Sequence, residues 1–225
     1  MTQQATLLLR LEGPLQSWGY RSRFVNRDTG LEPTKSGVIG LLCCALGRDR
    51  ATAPDDLASL KMHVRVDRPG TLLSDFQTAG GGIFRGSKKY FAPTSDGKRK
   101  TAPVVMAKQY LSDASFTVAL EGEEALLQEL ATALQDPVWP LSLGRKSCPP
   151  SMPVFLSMVK QPSLAVLPTA PSTDRKADKP KFIWETDKPS DETEMRNDVP
   201  ISWSNHLNRN YTIRFIKNEI REWEL

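Results

Sequence analysis

Histidine and cysteine are scarce: two and three among 225 residues. The cysteines, Cys43, Cys44 and Cys148, show neither CxxC nor cysteine–histidine ligand spacing, which argues against a zinc-binding or disulfide-stapled scaffold. An odd count without a disulfide framework suits a reducing compartment, so a cytoplasmic location is expected. His63 and His206 belong to no GxSxG, HExxH or paired-acid pattern, and no catalytic constellation, metal or cofactor is expected. "TKSG" at residues 34–37 lacks the upstream glycine of a phosphate-binding GxxxxGK[ST] loop, so nucleotide hydrolysis is unsupported. Long apolar runs are missing too. The longest uncharged one, Gly37 to Gly47, is too short to cross a bilayer, and the opening MTQQATLLLRLEGP has no basic leader, so no membrane partner is expected.

What is present is an ordinary folded composition, 39% hydrophobic and 25% charged, with a net charge of +4. ATLLLRL (5–11) reads as an apolar strand. PTKSGVIGLLCCALG reads as a helix with Thr34 as N-cap, Val38, Leu41, Leu42 and Ala45 at helical spacing, and Gly47 as a left-handed cap. Gly37 and Gly40 weaken that helix by about 1 kcal/mol each relative to Ala, which predicts a close neighbour at its backbone. KMHVRVD (61–67) alternates as a half-buried strand, with His63, Arg65 and Asp67 on the polar side. ASFTVALEG (114–122) repeats the alternation and runs into a helix striped by Leu126, Leu127, Leu130 and Leu134, with Glu123 and Glu124 at its positive end. A strand over 152–159 completes the series.

The order strand, helix, strand, strand, helix, strand predicts an α+β, ferredoxin-like (RRM-like) βαββαβ core over 1–159. Residues 68–113, between its second and third strands, are far too many for a turn. From Arg85 to Lys108 this insertion carries seven Lys or Arg against one acid, Asp96, and is read as a long basic β-hairpin thumb with its tip at APTSDGKRK. Residues 160–200 hold six prolines and few apolar residues, which predicts an extended, partly mobile stretch. Order is expected to return at FIWE and NYTIRFI, in a small β-rich appendage within 160–225.

The basic insertion points to phosphate, because clustered Lys and Arg release counterions when they neutralise it. Tyr90 and Phe91, beside Lys88 and Lys89, could stack bases at about 1–3 kcal/mol each. Its bland counterpart is a solvated hairpin protected from aggregation by charge. The turn LGRKSC (143–148) could bring backbone N–H groups and cations to a phosphate, or be a plain connection. The TKSG helix start offers a second possible anion seat. The predicted sheet strands display only Phe116, which suits the core, so RNA would be left to the loops and the insertion. In the opening loop GPLQSWGYRSRF, Trp18 is expected to pack inward while Arg21 and Arg23 face outward.

LLLRLEGPLQSWG, PTKSGVIGLLCCALG, YLSDASFTVAL and LSLGRKSCPPSMPVF resemble, in order, motifs of the CasD (Cas-five) family, subunits of the type I-E CRISPR Cascade complex. The resemblance spans 5–159 and continues more loosely through FIWETD and RNYTIRFIK. It implies a non-catalytic subunit of an RNA-guided surveillance complex serving antiviral defence. Such a subunit holds the 5′ handle of the CRISPR RNA, caps the CasC backbone, touches the large subunit CasA and meets target DNA near the guide's 5′ end. Carried over by motif, Gln16, Trp18 and Arg21 to Arg23 would line the handle's path. Lys35 and Ser36 would contribute at the helix start, and Gly144, Arg145, Lys146 and Ser147 at the glycine turn. Lys88, Lys89, Lys98, Arg99 and Lys100 would belong to the thumb, Lys108 and Gln109 to its base. Related type I-C subunits cut the RNA precursor with Tyr, Lys and His, whereas here Gln109 follows Lys108. In type I-E systems CasE makes the cut. A metal-independent endoribonuclease is the alternative, and an adaptor that touches no RNA is a third reading.

Overall fold

The computed structural model describes residues 4–19, 26–84, 88–90, 92–93, 97–100, 102–172, 179–203 and 210–222. The elements in chain order are β1 (Gln4–Gln16), β2 (Asn26–Arg27), α1 (Lys35–Leu46), α2 (Asp55–Ala58), β3 (Lys61–Arg68) and β4 (Thr71–Ala79). Four short strands follow, β5 (Gly82–Phe84), β6 (Lys88–Tyr90), β7 (Ala92–Pro93) and β8 (Arg99–Lys100). Then come β9 (Val104–Glu123), α3 (Glu124–Gln135), β10 (Phe155–Val159), α4 (Ser163–Val166), β11 (Lys181–Thr186), β12 (Thr193–Ser202) and β13 (Asn210–Ile220). The result is a mixed α/β structure built mainly on antiparallel sheet.

One sheet runs in the order β10-β1-β9-β3-β11-β13-β12. Alternation along its central strands assigns the two faces. Leu7, Leu9 and Leu11 of β1, Met62, Val64 and Val66 of β3, and Phe116, Val118 and Leu120 of β9 join the main core, with α1 and α3 packed over it. Thr34 caps α1 by accepting from the Gly37 amide, and Gly47 ends it at φ 69°. Leu127, Leu130 and Leu134 are the buried stripe of α3.

The opposite face is also covered, and here the sequence expectation is corrected. His63, Arg65 and Asp67 are buried instead of solvated. The reason lies a hundred residues away: the segment around α4 crosses this face, and Val166, Leu167 and Ala170 pack with Leu8, Ala119, Phe182 and Trp184. Arg65 donates to Asp67 (2.6 Å), to the carbonyls of Leu167 (2.7 Å) and Pro168 (3.1 Å), and to Thr117 (3.2 Å). Burial pushes the Asp67 carboxyl up, against the pull of Arg65. The stretch expected to be extended and partly mobile therefore supplies a lid over the sheet. The expected C-terminal appendage is likewise corrected, since β11 pairs with β3 and carries β13 and β12 as a continuation of the same sheet.

The third strand, expected from Ala114, begins ten residues earlier. Val104 to Ser112 of β9 pair antiparallel with β4, forming a two-stranded ribbon rooted in the sheet. The ribbon leaves the sheet past a register shift between Val66 and Arg68. Gly70 (φ 72°) and Asp113 (φ 57°) adopt left-handed backbone there. A Cβ on Gly70 would meet Ala114 Cβ and the Ser112 carbonyl, both at 2.8 Å, so the crossing is open only to glycine. Arg68 ties the root by donating to the Asp113 carbonyl (2.5 Å) and pairing with Glu12 (3.3 Å).

Candidate nucleic-acid interface

The opening loop is built on a buried tryptophan. Trp18 Nε1 donates to Gln16 Oε1 at 3.0 Å, and Gln16 Nε2 donates to the carbonyls of Leu11 (3.0 Å) and Ala114 (2.8 Å). Both side chains are 0% exposed. The indole lies so close to α1 that a Cβ on Gly37 would stand 2.8 Å from Trp18 Cε3, which explains the glycine predicted to accept a close neighbour. Gln16 and Trp18 thus face inward as the loop's anchor, and their side chains present no surface. The loop closes where Gly30 donates to the Trp18 carbonyl and Trp18 to Thr29 Oγ1, each at 2.8 Å. Arg21 and Arg23 lie outside the described residues.

The helix start is occupied. Asp198 accepts from the Lys35 amide (2.8 Å), filling the anion seat with the protein's own carboxylate. Lys35 Nζ donates to Glu185 at 2.8 Å, and Arg214 bridges the two acids, at 2.7 Å to Asp198 and 3.0 Å to Glu185. Burial holds the Lys35 ammonium below its usual range, with Glu185 opposing. The Lys35 side chain, expected at a phosphate, is 4% exposed and paired with Glu185. Ser36 is half-buried beside it. Asp198, Glu185 and Arg214 gave no local signal, because the partners of α1 sit about 150 residues further along the chain.

The glycine turn faces two ways. Gly144 takes φ 89°, and a Cβ there would fall 1.8 Å from the Ser17 carbonyl oxygen, so turn and loop are in backbone contact. Ser17 donates its amide to the Leu143 carbonyl (3.0 Å) and its hydroxyl to the Gln109 carbonyl (3.3 Å). Arg145 turns inward. Its guanidinium donates to the carbonyls of Gln109 (2.9 Å), Arg27 (2.8 Å) and Asp28 (3.1 Å), and lies 4.9 Å from the centre of the Tyr110 ring. Lys146 and Ser147 point to solvent.

At the ribbon's root, Lys108 Nζ donates to Gln77 Oε1 (2.6 Å), and Gln77 in turn to Asp75. Gln109 is exposed, and Lys98 is exposed near the tip. Lys88 and Lys89 fall on β6, Arg99 and Lys100 on β8. Among the described residues, then, the opening loop, the glycine turn and the root of the basic ribbon come together at one end of the sheet. Gln16, Trp18 and Lys35 are drawn away from that surface.

His63 stands apart from it. It is 4% exposed, accepts from the Glu185 amide through Nδ1 (3.0 Å) and lies against Trp184. Burial pushes its pKa down to about 4. The expected surface histidine is a core acceptor. His206 lies outside the described residues. Among the described residues no helix is long and apolar enough to cross a membrane.

A model of the CRISPR-associated protein (Cas_Cas5) family matches residues 6–217. The chain belongs to this family. The CRISPR system Cascade subunit CasD of Escherichia coli (strain K12) is 35% identical over 158 residues, covering 67% of this chain and 69% of that protein. Among solved structures, a chain of a CRISPR RNA-guided surveillance complex matches with a TM-score of 0.79 at 35% identity, covering 96% of this chain and 90% of its own. A Cas protein crystal structure matches at 0.71 and 37% identity, covering 97% and 95%.

Proposed function

We propose that this chain is a non-catalytic subunit of a type I-E RNA-guided CRISPR surveillance complex and that it holds the 5′ handle of the CRISPR RNA at the loop end of its sheet. The observation that carries the reading is a division of labour over the surface. Both faces of the central sheet are buried, while exposed Lys146, Ser147 and Gln109 stand beside the opening loop at the root of the basic ribbon. A sheet closed on both sides offers no stacking platform of the RRM kind, so an RNA strand is left the loops and the ribbon. The order β10-β1-β9-β3 with α1 and α3 on one face fits the ferredoxin-like βαββαβ core, and the β4–β9 ribbon with its basic tip fits the thumb. In this reading the chain caps the CasC backbone, touches CasA, and meets target DNA near the guide's 5′ end with the thumb. Guide–target base pairing supplies sequence recognition, the protein shape and backbone contacts.

The buried His63 supports the non-catalytic part, since an imidazole enclosed by Trp184 and Glu185 has no path to a phosphodiester. The test is a labelled CRISPR repeat RNA incubated with the full chain in EDTA, run on a denaturing gel beside a gel shift. Retention without cleavage is expected. Specific cleavage would overturn the non-catalytic reading in favour of a metal-independent endoribonuclease. Replacing Lys98, Arg99 and Lys100 by alanine is expected to weaken retention at physiological salt and to flatten its salt dependence, by about 0.7 in log–log slope per lost single-strand phosphate contact. Unchanged retention across salt would refute the thumb assignment, and retention by the protein–protein adaptor would be negligible from the outset.

A further inference from the structure

Arg145 belongs to the one exposed turn in which a cation was expected to meet phosphate, yet its hydrogen bonds go elsewhere. Three main-chain carbonyls receive them, from two separate segments: Arg27 and Asp28 on the returning arm of the opening loop, and Gln109 on β9. Beneath it lies the ring of Tyr110, itself 5% exposed, so the plane of the guanidinium is set by an aromatic that does not move freely. The neighbouring Gly144 presses on the outgoing arm of the same loop through the Ser17 carbonyl. One turn therefore grips both arms of the loop, and Arg145 adds side-chain hydrogen bonds at the place where the returning arm, as β2, pairs with β9 through Asn26 and Arg27.

We infer that Arg145 is a positioning residue: it ties the glycine turn to the returning arm where that arm pairs with β9, so that both described arms of the opening loop are held in place before a partner arrives, instead of neutralising a phosphate itself. This rests on the proposal that the loop end is an RNA surface. The three carbonyls are reached from two separate nitrogens of one planar guanidinium, a spread that the single nitrogen of an ammonium does not reproduce. Arg145→Lys, which keeps the charge, and Arg145→Gln, which removes it, separate the two roles.

Hydrogen exchange on the full chain without RNA reads the clamp directly, through the Trp18 and Gly30 amides that close the loop, with the amides of Leu7 to Leu9 as a reference for intact folding. Both variants are expected to speed exchange at Trp18 and Gly30 about tenfold, the effect of losing roughly one net hydrogen bond's stabilisation. Both are expected to lower retention of the labelled repeat RNA by the same factor, with the salt slope of the unmodified protein. A Lys variant that matches the unmodified protein in exchange and affinity, beside a Gln variant whose slope falls by about 0.7, would overturn the inference and make Arg145 a phosphate contact. Unchanged exchange in both variants would also overturn it. If the unmodified protein retained no RNA at any salt, the RNA reading would fail on its own, and the exchange result would still decide the clamp.

Discussion

Acidification should destabilise this fold through His63. The imidazole is 4% exposed, and its Nδ1 accepts from the Glu185 amide, so a proton arriving at Nδ1 removes that hydrogen bond and places a charge in the core. Burial is the dominant influence, with Glu185 and Glu121 favouring the charged form and Lys61 and Arg214 opposing it, and it leaves the folded pKa at about 4. In the unfolded chain the same group titrates near 6.5, as a free histidine does. Above about pH 6.5 neither state holds the proton and His63 adds no pH dependence. Below it the unfolded chain takes up a proton that the native protein refuses, so stability falls with pH by up to about 1.4 kcal/mol per pH unit. The loss sums to about 3 kcal/mol by the time the folded group titrates. Urea unfolding midpoints at fixed ionic strength, from about pH 7.5 to about pH 4.5, would measure it. His63→Gln supplies an acceptor that does not titrate. It is expected to start from a lower stability and to lack this component of the slope, whichever other groups contribute. Parallel curves for the two proteins across this interval would refute the reasoning.

Three further outcomes follow from the packing. Asp198→Ala leaves the buried Arg214 with Glu185 as its one remaining acid and the Lys35 amide without its acceptor, and should cost about 3–5 kcal/mol in urea unfolding, the range for breaking a buried ion pair. Trp18→Ala removes a fully buried indole and should cost about 3–5 kcal/mol; a variant of undiminished stability that merely lost RNA would show the residue faces the ligand after all. Gly144→Ala places a methyl on the Ser17 carbonyl at a positive φ and should lower the thermal midpoint, at about 1–3 kcal/mol of strain.

The core was legible wherever a residue's surroundings were set by its near neighbours. Met62, Val64 and Val66, the Leu127–Leu130–Leu134 stripe, and the Thr34 and Gly47 caps each follow from local periodicity or backbone chemistry, and each stands where the pattern put it. The pattern failed where the partner was remote. Arg65 and Asp67 read as solvated because nothing nearby announced that Leu167 and Pro168 would cover them. Lys35 read as a phosphate ligand because Glu185 and Asp198 are over a hundred residues away. The β12 and β13 strands, polar in composition, read as an appendage because strand pairing to β11 is carried by backbone groups that composition does not report. For the candidate site, the aromatic anchor at Trp18 was readable from its type, while the inward turn of Arg145 depended on Tyr110 and on carbonyls that carry no sequence signature.

The lock between Asp198, Arg214 and the start of α1 also sets a timetable. Lys35 leaves the ribosome 163 residues before the carboxylate that caps it. At about 5–20 residues per second, the first helix of the protein waits on the order of 10–30 s for its final partner. During synthesis the early strands can collapse around Leu7, Val64 and Phe116 with Lys35 still hydrated. The last two strands bring Asp198 and Arg214 to the start of α1. A chain released before residue 198 would lack both Asp198 and Arg214, and the Lys35 amide would be left without its acceptor.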